Sequence, residues 1–225
     1  MLAKGRAAVL SKIEKPAALT ELDAILEVSN GIMVARGDLG VELLVSDVPP
    51  LQKRIVRKCR EVGKPVIVAT QMMESMITSP VPTRAEVSDA AQAIYEGADA
   101  IMLSAESAAG DYPVEAVTMM DSVAQSVEHN DPYREVITNG QIPSAPSIAN
   151  AITAAAREVA ETTDIKAICS FTHSGTTALL AARERPSVPI LALTPFKGTA
   201  RRLSLAWGLH CVVTEEVERF KLAVV

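Results

Sequence analysis

Aromatic side chains are scarce in this sequence, at 3% of its 225 residues. A core must therefore come from Ala, Val, Ile, Leu and Met, which a hydrophobic fraction of 48% can supply. Cysteine is scarce as well: Cys59, Cys169 and Cys211 are odd in number and far apart. That usage excludes a disulfide scaffold and suits reduced, small hydrophobes in a cytoplasmic protein. Positive charge is short too. With 22 basic and 27 acidic residues the net charge is −5, so no basic field exists to draw in nucleic acid. No apolar run reaches the roughly 18 residues of a membrane span, and the first residues lack the charged-then-apolar pattern of a signal peptide.

What is present is alternation around one stretch, residues 31–40. Ile32, Met33 and Val34 form a short apolar run that predicts a buried strand. Ala35-Arg36-Gly37-Asp38-Leu39-Gly40 predicts a tight turn, in which two glycines let the backbone bend and approach a ligand. Asp38 on that turn suits a hard cation such as Mg²⁺. A turn aspartate bonding its own backbone is an equally good reading of that residue alone.

Residues 7–14 read as another strand, with Lys12 and Glu14 two apart and so on one face. Burying that pair is costly unless the two pair or bind something; a plain ion pair at a strand end is the simpler alternative. Residues 20–27 predict a short helix. Pro49 and Pro50 predict a helix start, with Leu51, Ile55, Cys59 and Val62 at helical spacing and Gly63 at its end. Residues 66–71 read as a strand closing on Thr70. Thr83-Arg84-Ala85-Glu86 has the form of a capping box, opening a helix that Gly97 stops. Residues 100–104 are a fourth strand, and Pro113 opens a helix with Val117, Met120, Ala124 and Val127 at its apolar positions.

Strand and helix thus alternate four times, which implies parallel pairing. The polar residues Lys12, Glu14, Asp38, Thr70, Ser104 and Glu106 fall at the C-terminal ends of the strands. A (β/α)₈ barrel builds its active site there. Such a barrel needs about 250 residues, and four units are half of one. Residues 131–146, rich in Pro, Asn, Gly and Ser, read as a linker between a first domain, 1–130, and a second, 147–225. In the second domain Ser147 caps a helix with Ile148, Ile152, Ala156 and Val159 on one face. Strands follow at 167–171, 189–194 and 209–214, with helices to Arg185 and over 199–207. The expected architecture is a small open parallel α/β sheet, and the last residues read as the start of another helix.

Ser11-Lys12-Ile13-Glu14 resembles the lysine–glutamate signature of the pyruvate kinases. The stretches 35–40, Ala69-Thr70-Gln71-Met72, Pro82-Thr83-Arg84-Ala85-Glu86 and Gly110-Asp111-Tyr112-Pro113 look like that family's other landmarks, in its order and spacing. One departure is Ala17, where the signature usually carries a polar residue. The resemblance implies the last four β/α units of a TIM barrel followed by the family's C-terminal effector domain. It implies phosphoryl transfer from phosphoenolpyruvate to ADP, giving pyruvate and ATP. Glu14 and Asp38 would hold Mg²⁺ or Mn²⁺, and Lys12 would neutralise charge on the phosphoryl group and the enolate. The backbone at Ala35, Gly37 and Asp38, with Lys12 and the Thr70 hydroxyl, would bind the substrate, and Thr70 would help deliver a proton through water. Ser104 and Glu106 would support that rim. Thr172, Ser174, Gly175, Thr176 and Thr177 would bind a sugar-phosphate or AMP effector, with an ordinary hydroxyl-rich helix cap as the alternative. The homo-oligomer would be a tetramer, as in the family.

The family's first four barrel strands, with its K⁺ ligands and nucleotide-binding groups, have no counterpart here. The expectation is therefore a fragment or a truncated product, inactive alone. Two other readings stand beside it: a different metal-dependent barrel acting on a 2-oxo acid, and a non-catalytic remnant kept for effector binding and oligomer contacts.

Overall fold

Four short strands pair in register as one parallel sheet, in the order β1 (Leu10–Ile13), β2 (Gly31–Ala35), β3 (Val66–Ala69), β4 (Ala100–Met102). The computed structural model describes residues 7–140 and 145–215, and the chain divides into two compact units, Met1–Ile142 and Pro143–Val225. Ile32 faces Val66, and Val34 faces Ile13 and Val68 across the strands. All five are fully buried, and each such side chain contributes roughly 1.5–3 kcal/mol.

The helices of this first unit follow in chain order. α1 (Pro16–Thr20) and α2 (Leu22–Val28) replace the single helix expected over residues 20–27, because Glu21 breaks the run with a non-helical backbone (φ −98°, ψ 19°). α3 (Arg36–Glu42) follows β2 directly. α4 (Val48–Val62) starts on the proline pair and stops at Gly63, whose φ of 67° is open to glycine at little cost. It buries Gln52, Ile55, Val56 and Cys59, whereas Val62 is half exposed. Burial also pushes the Cys59 thiol up to about 12, so it stays a neutral core group.

α5 (Arg84–Tyr95) has the predicted capping box: the Thr83 hydroxyl accepts from the Glu86 amide, and Glu86 accepts from the Thr83 amide. Burial raises the Glu86 pKa, but hydrogen bonds from Ser75 and Thr83 win, holding it below the usual glutamate value. α6 (Ala105–Ala108) and α7 (Pro113–Glu128) complete the fourth unit. α7 buries Ala116, Met120, Val123 and Val127, one position round from the expected stripe, leaving Val117 exposed. The expected linker is different from 131 onward. Asp131–Asn139 form α8, which buries Tyr133 and Ile137 in the first unit's core. The Asp131-Pro132 pair that reads as a breaker is a helix start, where a proline loses no hydrogen bond.

The second unit is a three-stranded parallel sheet, β5 (Ile168–Phe171), β6 (Ile190–Thr194) and β7 (Leu209–Val213), with α9 (Ile148–Thr162), α10 (Thr176–Arg183) and α11 (Lys197–Leu203). Ser147 caps α9 as predicted, accepting from the Asn150 amide at 3.1 Å. The buried face of α9 is not the apolar stripe. Ile148, Ile152 and Val159 are exposed, while Asn150, Thr153 and Ala160 are buried. Asn150 explains the choice, since its amide nitrogen donates to Ala145 O (2.6 Å) and its oxygen accepts from Arg183 Nη1 (3.2 Å). The helix expected at the end of the chain lies outside the described residues.

Candidate active site

Every polar residue singled out in the first unit sits where a parallel strand ends. Lys12 is on β1 and Glu14 one residue past it; Asp38 is in the first turn of α3, after β2; Thr70 follows β3; Ser104 and Glu106 follow β4. Because all four strands run the same way, their C-terminal ends form one rim. The strand bearing Lys12 is less buried than its sequence suggests, so the pair avoids the heavy desolvation cost.

Lys12 Nζ lies 2.6 Å from Glu14 Oε2 and 2.9 Å from Asp38 Oδ2. All three side chains are a third to a half exposed, so the two bridges stabilise the fold little. Their electrostatic effect is mutual. Hydrogen bonds that Lys12 donates, to Glu14 first and then to Asp38, raise its pKa above the ordinary 10.5. The Lys12 hydrogen bond and charge hold Asp38 below the usual aspartate value. Lys15 makes a similar bridge to Glu42, at 2.5 Å.

Two carboxylates that touch one ammonium are close enough to share one cation. Their oxygens are hard donors, solvent reaches them, and Mg²⁺ is commonly held by one or two carboxylates with water and substrate completing its shell. Glu14 and Asp38 therefore fit such an ion. Among the described residues no group of three or more His, Cys, Asp or Glu converges on a metal position.

The glycine-flanked turn expected at 35–40 is instead the helix α3, with Gly37 and Gly40 inside it. An acid in the first turn favours the helix through its dipole, against a cost of roughly 1 kcal/mol for each glycine. Gly37 serves by proximity to a neighbour: its amide donates to Thr70 Oγ1 at 2.7 Å. Thr70 also donates to Ala69 O at 2.6 Å. Its backbone is unusual, with φ at 70° and Gln71 following at 54°. A β-branched residue there is a true outlier.

Sequence reasoning missed what surrounds this pair. Arg36, 8% exposed, donates to Thr70 O from Nε (3.2 Å) and Nη2 (2.7 Å), to Gln71 O (3.1 Å) and to Asp89. Its position between a buried strand and a glycine was the available signal. Glu106, already singled out in the sequence as support for the rim, is 2% exposed and accepts from the amides of Ser104 (2.7 Å) and Met73 (3.3 Å), bracing two strand-end loops. A cleft of about 430 Å³ lies beside the rim, against α3, α4 and α5, lined by Val41, Val45, Gln52, Asp89 and Gln92 among others. Lys12, Glu14, Asp38 and Thr70 do not line it. The strand-end groups lie on an open face because the sheet does not close.

In the second unit, the predicted loop joins β5 to α10. Ser174, Thr176 and Thr177 are exposed. Thr172 is buried and its hydroxyl accepts from the Gly175 amide at 2.9 Å, so it shapes the loop. Ser174 Oγ and Thr176 Oγ1 are 3.0 Å apart. His173 packs edge-on against Phe196, and His129 bonds the Gln125 carbonyl.

Family models described as "Pyruvate kinase, barrel domain" and "Pyruvate kinase, alpha/beta domain" match residues 3–117 and 150–224. A pyruvate kinase of Methylorubrum extorquens is 57% identical over 215 residues, covering 96% of this chain and 45% of the relative. One of Agrobacterium vitis is 51% identical over 225 residues, covering 99% and 47%. The crystal structure of a pyruvate kinase from Cryptosporidium parvum superposes with a TM-score of 0.88 at 39% identity, covering 96% of this chain and 44% of that one. The chain thus spans less than half the length of the relatives it matches. Among its described helices none is long and apolar enough to cross a membrane.

Proposed function

Because this chain belongs to the pyruvate kinase family of phosphotransferases, we propose that it supplies half of a site that moves a phosphoryl group from phosphoenolpyruvate to ADP. The observation that carries this reading is the Lys12 ammonium held between Glu14 and Asp38 on the rim. Phosphoryl transfer asks a protein for positioning and charge stabilisation more than for covalent chemistry. Lys12 offers a fixed positive charge to the phosphoryl oxygens in flight and to the enolate oxygen left when the P–O bond breaks. Mg²⁺ or Mn²⁺, held by Glu14 and Asp38, would add divalent charge at the same place. The amides at the start of α3, from Ala35 through Gly37 and Asp38, together with the Thr70 hydroxyl, bind the substrate carboxylate. Thr70 then passes a proton to the enolate carbon, through water because a threonine hydroxyl is too weak an acid to act alone. K⁺ and the nucleotide take their remaining groups from barrel units that the longer relatives possess. The working protein is a cytoplasmic homo-oligomer.

In a full-length pyruvate kinase whose C-terminal part is this chain, Asp38→Asn is expected to weaken Mn²⁺ binding about tenfold or more, because a charged ligand becomes neutral. Titration followed by water-proton relaxation measures it, and an unchanged affinity would remove Asp38 from the metal site.

The loop of the second unit takes a phosphorylated effector, with Ser174, Gly175, Thr176 and Thr177 at the start of α10 and Thr172 holding its shape. Exposed hydroxyls at a helix start favour an anion. Ser174→Asp is expected to abolish activation by a sugar phosphate or AMP while basal turnover persists. Activation that survives the substitution would reduce the loop to a helix cap.

A further inference from the structure

We propose that Arg36 is the positioning residue of Thr70: its guanidinium keeps the Thr70–Gln71 backbone left-handed and so aims the hydroxyl that relays the enolate's proton. The inference rests on the reading of Thr70 given above.

Two consecutive residues with a Cβ at positive φ, one of them β-branched, do not arise from local preference. Each is strained and persists only where the surroundings over-determine it. Here the Arg36 guanidinium meets the carbonyls of both residues. In an extended chain successive carbonyls point to opposite sides. The left-handed bend turns the Thr70 and Gln71 carbonyls toward the same guanidinium, which takes both. Gly37, the next residue after Arg36, donates its amide to the Thr70 hydroxyl. Backbone and hydroxyl of Thr70 are thus held from adjacent residues at the start of α3.

The guanidinium is itself fixed. Its Nη1 is paired with Asp89 of α5, and Nη2 lies 2.8 Å from Met72 Sδ. A lysine has one point charge on a flexible stem and cannot span two carbonyls and a carboxylate with the same fork. Arg36 acts through Thr70 and does not touch the reacting atoms, so its loss should slow the proton step through misplacement.

The test is a double-mutant cycle in a full-length pyruvate kinase carrying this chain, with Mg²⁺ and K⁺ saturating. The readout is deuterium incorporation into the pyruvate methyl group in D₂O, which runs the protonation backwards. Arg36→Lys and Thr70→Val should each slow exchange about tenfold or more, with the KM for ADP unchanged. The double variant should be no slower than Thr70→Val, because Arg36 has nothing left to position. Multiplicative losses, or wild-type exchange in Arg36→Lys beside an impaired Thr70→Val, would overturn the role of Arg36 alone. Full exchange in Thr70→Val would overturn the proton-relay reading and this inference with it. Should Arg36→Lys fail to fold, Asp89→Asn loosens the same guanidinium while keeping both carbonyls. It should slow exchange in the same direction, and wild-type exchange in that folded variant would equally overturn the proposal.

Discussion

The purified 225-residue chain is expected to form no ATP from phosphoenolpyruvate and ADP above background. Its four-stranded sheet has β1 and β4 at its edges, each with backbone groups that a closed barrel would pair. Val9 and Leu10, at the β1 edge, are 48% and 39% exposed. Edges of that kind invite self-association. Catalysis also requires both reactants in register, and effective molarity collapses when half of the contacts are gone. The rim holds Lys12, Glu14, Asp38 and Thr70, but its other lysine, Lys15, is tied to Glu42. A basic cradle for the ADP phosphates has to come from elsewhere. A lactate-dehydrogenase-coupled assay with saturating Mg²⁺ and K⁺ measures this, with Lys12→Ala as the control for contaminating host enzyme. Turnover that disappears only in that control would show the half-barrel to be catalytic, for instance by pairing with a second copy.

Replacing Lys12 with Met in a full-length enzyme carrying this chain is expected to lower kcat about a thousandfold or more. Losses of that size follow the removal of a fixed positive group from a transition state that gathers negative charge. Hydrogen bonds donated to Glu14 and Asp38 raise the Lys12 pKa, so the ammonium is charged across the neutral range. The sign follows: the ion pairs persist below the ordinary 10.5 and weaken as pH rises through the higher folded value. Removing the ammonium leaves Glu14 and Asp38 facing one another, so Mn²⁺ should bind at least as tightly as before. Steady-state kinetics paired with a Mn²⁺ titration separate the two effects. A collapse of kcat with metal binding lost would mean that Lys12 organises the carboxylates and does not stabilise charge. An unchanged kcat would remove it from the chemistry.

Much of this was legible in the sequence. Continuous apolar runs mark strands buried on both faces, so 31–35, 66–69 and 190–194 stood out. Local chemistry marks helix ends just as directly: the Thr83–Glu86 box, Ser147 ahead of α9, and Gly63, which can take a left-handed conformation no neighbour needs to enforce. The ends of parallel strands then located the rim, and Lys12, Glu14 and Asp38 do meet there. Periodicity, however, reports that a helix has an apolar face without saying what covers it. On α9 the polar Asn150 side was buried against Arg183, and the Ile148–Ile152–Val159 stripe was left outside. Proline at 132 reads as a break until a core is available to receive Tyr133 and Ile137. The left-handed turn at Thr70 and Gln71 lay furthest from view. No residue near it prefers that conformation. It is imposed by Arg36, 34 positions earlier in the chain, and only folding brings a guanidinium and two carbonyls so distant in sequence into contact.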